Sequence, residues 1–116
     1  MAEGNPPLTP AAFQVLLAMA NGPLGRAHGY GIMGFLGDIT DGAVQLGPGT
    51  LYRTLTRLAA DGLVEEVPGD SADSRRRYYS LTPAGREAVA REAALLARLV
   101  AAAGEAGLLE GPAESA

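Results

Sequence analysis

The sequence contains no cysteine, no tryptophan and a single histidine. Without cysteine there is no disulfide framework, no thiolate zinc site and no cysteine nucleophile, which fits a reducing compartment. One histidine cannot build a histidine-based metal cluster, and no nucleophile elbow stands ready for a serine-histidine-acid set. Lysine is missing as well: the nine basic residues are all arginine, set against 13 acids for a net charge of -4. Long apolar runs are absent too. The most apolar tract, "AALLARLVAAA", is too short to span a bilayer and carries Arg98, and "MAEGNPPLTP" has neither a basic nor an apolar leader region. These absences lead us to expect a cytoplasmic protein without a membrane segment. At 116 residues the chain supports one compact domain and an appendage.

What charge there is falls unevenly. Arg53, Arg57, Arg75, Arg76, Arg77 and Arg86 lie within one stretch of the chain. Spread evenly, a net charge of -4 would argue against a nucleic-acid partner; clustered, the arginines supply forked donors suited to phosphates and guanine edges. A GC-rich coding bias accounts for the abundance of alanine and glycine and for arginine in place of lysine. It does not account for the clustering.

Helical spacing of Phe13, Leu16, Leu17 and Ala20 after Thr9-Pro10 predicts a first helix with that face in the core. The segment "GPLGRAH" reads as a loop. "GYGIMGFLGDI" is a shorter helix with Ile32, Phe35 and Leu36 on one side, weakened by Gly31, Gly34 and Gly37 at roughly 1 kcal/mol each. Pro48 opens a third helix that runs to about Asp61 and stops at Gly62. Then "LVEEV" and "RRYYSL" form a hairpin with a long tip, Tyr79 and Leu81 facing inward. Two strands are marginal alone and must lean on the helices. Thr82 and Pro83 open a last helix with a broad apolar stripe through Val89, Ala93, Leu96, Val100 and Ala103, flanked by Leu95 and Leu99. Residues 105–116 read as a frayed acidic tail.

On a helical wheel the third helix separates its chemistry. Leu51, Leu55 and Leu58 fall on one side; Thr50, Arg53, Arg57 and, at the edge, Thr54 fall on the other. The order helix, helix, helix, strand, strand, helix is the layout of a winged helix-turn-helix, a mainly α (α+β) fold. In that layout the third helix enters the major groove and the hairpin touches backbone or minor groove. The expected organisation is a DNA-binding unit over residues 1–82, a C-terminal helix over 83–104 and the tail over 105–116.

"HGYGI", "GTLYRTLTRLAADGLVEE" and "RRRYYSLTPAGREAV", in this order and spacing, resemble the PadR family of transcriptional regulators over residues 8 to 103. The resemblance implies a homodimer joined through the C-terminal helix, with Val89, Ala93, Leu96, Leu99, Val100 and Ala103 as the dimerisation stripe, and places the chain among short family members with one such helix. It implies that Tyr30 touches a phosphate, that Thr50, Tyr52, Arg53 and Thr54 sit at the entering end of the recognition helix, and that Arg75, Arg76 and Arg77 form the wing. Double-stranded DNA, a second copy and a small-molecule effector are the implied partners, with no cofactor. The implied role is a repressor on a palindromic operator.

Plainer readings stand beside these. Tyr52 lies off the polar face and can equally pack against the wing. Arg57 can pair with Asp61 one turn on, worth roughly 0.3–0.5 kcal/mol. Arg86, Arg91 and Arg98 read as the solvated face of the last helix. His28, at a helix start, reads as a cap or packing residue. "GYGIMG" matches G-x-G-x-x-G, but a dinucleotide site needs a strand before it and a parallel strand after the helix. Asp70 and Asp73 read as exposed loop acids. From another class of function, the acidic balance favours a winged-helix adaptor that binds protein and no DNA.

Overall fold

A computed structural model describes residues 7–68 and 77–109. Helix α1 spans Pro10–Ala20, strand β1 Arg26–His28, α2 Gly29–Ile39, α3 Pro48–Ala60, β2 Val64–Val67, β3 Tyr78–Leu81 and α4 Pro83–Glu105. The helix starts follow from local chemistry. Thr9 Oγ1 accepts from the Ala12 N–H at 3.1 Å, and Pro10 sits where its missing donor costs nothing. Thr82 caps α4 in the same way at 3.0 Å from Gly85 N–H, and its hydroxyl donates to the Gly62 carbonyl at 2.7 Å. One side chain thereby fastens the start of α4 to the end of α3.

The helix ends are equally explicit. Gly62, with φ 78°, closes α3 in a Schellman motif: its own N–H reaches Ala59 O at 3.0 Å and the Leu63 N–H reaches Leu58 O at 2.9 Å. Gly107 repeats the arrangement for α4, with the Leu108 N–H on Ala103 O at 2.9 Å. The fraying expected from residue 105 therefore does not begin there. Glu105 is the last helical residue and the chain is hydrogen-bonded through Leu108; the remainder of that tail, 110–116, lies outside the described residues.

The core gathers Val15, Leu16 and Met19 of α1, Ile32 and Leu36 of α2, Leu51, Leu55 and Leu58 of α3, Val64, Tyr79 and Val89. Helix α1 keeps its expected face in part: Leu16 is buried and Phe13 and Leu17 pack against the core, but Val15, Ala18 and Met19 are buried as well and Ala20 is half-buried. The helix packs against α2, α3, α4, β1 and β3, so it is covered on most sides and no single stripe marks its inner face.

The sheet has three strands rather than two, in the order β1-β3-β2, all antiparallel. Arg26 and Ala27, expected in a loop, pair with Ser80 and Tyr79. This supplies the support a lone hairpin lacks. Tyr79 is buried and Leu81 packs against the core, as the alternation requires. Where α4 starts, a Cβ added to Gly85 would overlap the Leu63 carbonyl oxygen, so helix and turn approach at a distance that only glycine permits.

Candidate nucleic-acid interface

On α3 the division into two faces is complete. Leu51 and Leu55 are fully buried and Leu58 nearly so, while Arg53 and Arg57 are exposed and Thr50 and Thr54 half-buried at the margin. Arg53 Nη2 donates to Thr50 Oγ1 at 3.3 Å, which holds the guanidinium near the first turn. Thr54 donates its hydroxyl to the Thr50 carbonyl at 2.8 Å, so that donor is spent within the helix. Arg57 Nε lies 3.6 Å from Asp61 Oδ2, with the two side chains 81% and 52% exposed. The plainer reading of Arg57 is thus present in the structure, as a solvated pair that a phosphate can displace at small cost.

A concave surface of about 380 Å³ forms where α2, α3 and the hairpin meet, lined by His28, Gly29, Tyr30, Tyr52, Thr56, Arg77 and Tyr79. His28 caps α2, its Nδ1 accepting from the Gly31 N–H at 3.2 Å, and its ring meets Tyr78 edge-on with centroids 5.3 Å apart. Tyr30, two residues on, is 74% exposed. Tyr52 turns out to stand over the start of α2 as well as near the hairpin: a Cβ on Gly29 would overlap its hydroxyl. Sequence reasoning missed this contact and the wall formed by Thr56. The glycine at 29 was the available signal, because an aromatic hydroxyl occupies the space of its absent side chain.

Of the wing arginines, Arg75 and Arg76 lie outside the described residues. Arg77 is exposed, and its Nε lies 3.9 Å from Glu66 Oε2 across the hairpin. A second, larger groove of about 970 Å³ runs between α3 and α4, lined by Leu8, Arg53, Arg57, Leu58, Arg91 and Leu95 among others.

Helix α4 divides along its length. Val89 is 6% exposed and belongs to the core of its own chain. Beyond it Ala93, Leu99 and Val100 are exposed, with Leu96 and Ala103 half-buried. The stripe expected to meet a second copy is therefore open from Ala93 onward, and Leu108 and Leu109 extend the apolar surface past the helix end.

The G-x-G-x-x-G match gains the strand that the sequence reading denied it, since β1 runs directly into α2. That strand has three residues and pairs antiparallel with β3, so the parallel β-α-β unit of a dinucleotide site is not formed. Among the described residues no group of three or more His, Asp or Glu could hold a metal ion, and no helix is long and apolar enough to cross a membrane.

Comparison with known proteins gives a consistent picture. The model of the transcriptional regulator PadR-like family matches residues 15–91. The uncharacterized 37.1 kDa protein in transposon TN4556 of Streptomyces fradiae is 44% identical over 89 residues, 77% of this chain and 24% of its own length. Transcriptional regulator Rv3488 of Mycobacterium tuberculosis is 44% identical over 55 residues, 47% of this chain and 51% of its own length. The chain thus spans about a quarter of the length of the first and about half of the second of these curated relatives. In structure, a PadR family transcription regulator from Clostridium difficile shares the fold with a TM-score of 0.65 at 18% identity, over 82% of this chain and 95% of that one.

Proposed function

The chain belongs to the transcriptional regulator PadR-like family, a family of regulators and not of enzymes, and from that membership we propose that it binds double-stranded DNA as a homodimer. In this reading it acts in the cytoplasm as a repressor on a palindromic operator. The observation that carries the reading is the two-faced α3: its leucines are consumed by the core, and the outer face presents Tyr52, Arg53, Thr56 and Arg57, with Thr50 and Thr54 half-buried at its margin. Arginines and short polar groups on a solvent-facing helix suit base edges in a major groove, Thr54 only as an acceptor since its proton is spent on the Thr50 carbonyl. Arg53, tied among the described residues only to the Thr50 hydroxyl, is the base reader; Arg57 and Arg77 exchange a carboxylate for a phosphate, and Tyr30 and Tyr52 border the backbone from α2 and α3. Arg75 and Arg76, outside the described residues, are given the same phosphate-contacting role on the resemblance alone.

The dimer is supported by α4, whose exposed Leu95, Leu99 and Val100 form an apolar surface suited to a second copy. Two-fold symmetry then sets two copies of α3 in successive major grooves about 34–36 Å apart. A small-molecule effector belongs to the same reading, supported by the groove between α3 and α4, which joins apolar and arginine side chains.

The test is fluorescence anisotropy of the purified protein on a labelled duplex from just upstream of its own gene, at two salt concentrations, beside Arg53→Ala. We expect affinity that falls steeply with salt and that Arg53→Ala lowers about tenfold, as the loss of one bidentate arginine–guanine pair would. One observation favours a second reading: Arg57 and Arg77 are both matched to carboxylates. An adaptor that binds protein through the same face would leave the duplex unbound at low salt, along with other genomic fragments.

A further inference from the structure

We propose that Arg26 is a positioning residue for the wing: its guanidinium fixes where the hairpin leaves the sheet and, through that, how Arg77 is presented to DNA. The inference rests on the DNA-binding reading above. Arg26 lies outside the arginine cluster of the sequence and stands on β1, opposite Ser80 of the central strand. Its Nη2 nonetheless donates to the carbonyl oxygen of Pro68 at 2.6 Å. Pro68 is the residue that follows β2, the strand on the far side of β3, where Glu65 opposes the same Ser80. The side chain therefore crosses the central strand and ties one edge of the sheet to the exit of the other.

The need for such a tie follows from size. β2 and β3 have four residues each, and a ribbon that short holds its own outlet poorly. The two limbs of the hairpin each carry an arginine tie at the sheet end: Arg26 to Pro68 on the outgoing limb, Arg77 to Glu66 on the returning one. They differ in kind. The Arg77 pair is a 3.9 Å contact between exposed side chains, which a phosphate can replace. The Arg26 bond is a short, charge-assisted bond to backbone, so it constrains the chain path itself. Arg26 thus holds the limb still while Arg77 is free to exchange partners.

The experiment uses the full chain and the same upstream duplex, with Arg26→Met, Arg26→Lys, Arg77→Met and the double variant. Arg26→Met is expected to weaken binding about fivefold by releasing the limb that carries Arg77, with the thermal midpoint lowered by no more than a few degrees and with partial recovery of binding in Arg26→Lys. Because Arg26 acts through Arg77, the double variant should bind clearly less weakly than the product of the single effects. A readout without DNA accompanies it: trypsin should cleave within the hairpin several times faster in Arg26→Met than in the parent chain. Unchanged binding and unchanged cleavage in Arg26→Met overturn the inference while Arg77→Met still weakens binding and upholds the DNA reading. Strict multiplication of the two single effects also overturns it, since Arg26 would then be an independent phosphate contact. If the parent chain fails to bind any duplex, the DNA reading falls and this inference with it.

Discussion

Helices α3 and α4 are built to the same local plan and end with opposite surfaces. Each opens on proline and closes on a left-handed glycine, Gly62 or Gly107, in the same capping motif. Helix α3 then spends its apolar residues inside the chain: Leu51, Leu55 and Leu58 are buried, and arginine and threonine are left outside. Helix α4 spends only its first turns there, at Gly85, Ala88 and Val89, and leaves Leu95, Leu99 and Val100 in solvent. The residue of each helix that folding does not use is what it offers to a partner. For α3 that is charge, which suits a polyanion; for α4 it is apolar surface, which suits another copy of the same helix.

The sharpest way to test this contrast is to make the same substitution on both sides of it. Leu55→Ala removes a fully buried side chain, and we expect a loss of about 3 kcal/mol in urea unfolding, independent of protein concentration. Leu99→Ala removes one that is 58% exposed within the protomer. It should leave the protomer's own packing intact and instead weaken self-association, read as a rise in the dimer dissociation constant by sedimentation. A Leu99→Ala protein that loses stability equally at all concentrations would place Leu99 in the protomer's own core and erase the contrast.

The seam between the two helices gives a smaller effect. Gly85→Ala sets a methyl group against the Leu63 carbonyl, where backbone has to move, and overpacking of this kind costs about 2 kcal/mol. Gly34→Ala is the matching control. Nothing lies within 4 Å of the methyl it would add, so helix propensity alone acts and stability should rise by up to about 1 kcal/mol. Thermal unfolding of the two variants side by side separates close approach from intrinsic propensity.

How far the sequence announces this structure depends on where the information sits. The polar and apolar faces of α3 were legible because all of Leu51, Leu55 and Leu58 obey one helical period and Pro48 and Gly62 mark the ends. Strand β1 was not, because three residues carry no alternation and Arg26–His28 are extended only by pairing with β3, which is distant in sequence. Nor was the end of α4, expected at 104: the left-handed turn falls at Gly107, where Leu108 closes the motif onto Ala103. At the interface the clustering of arginines was visible, but their partners were only partly so. The Asp61 pair follows from helical spacing, whereas Arg77 with Glu66 and Arg26 with Pro68 need the register of the sheet.

The smallest effect bears on how freely α3 offers its charge. Asp61 occupies the C-cap of α3, at the negative end of the helix dipole, where a carboxylate is unfavourable, and it also pairs with Arg57 at 3.6 Å. Neutralising it in Asp61→Asn removes a pair worth at most about 0.5 kcal/mol and removes an unfavourable charge of similar size, so stability should change by less than about 0.5 kcal/mol. Binding is where the change should register. With its carboxylate competitor gone, Arg57 meets a phosphate at no exchange cost, and the affinity for the duplex should rise about twofold at low salt, with a log–log salt slope steeper by up to about 0.9. A variant that binds more weakly would mean that Asp61 holds Arg57 in the orientation the DNA requires, and α3 would then present a positioned arginine rather than a loosely tethered one.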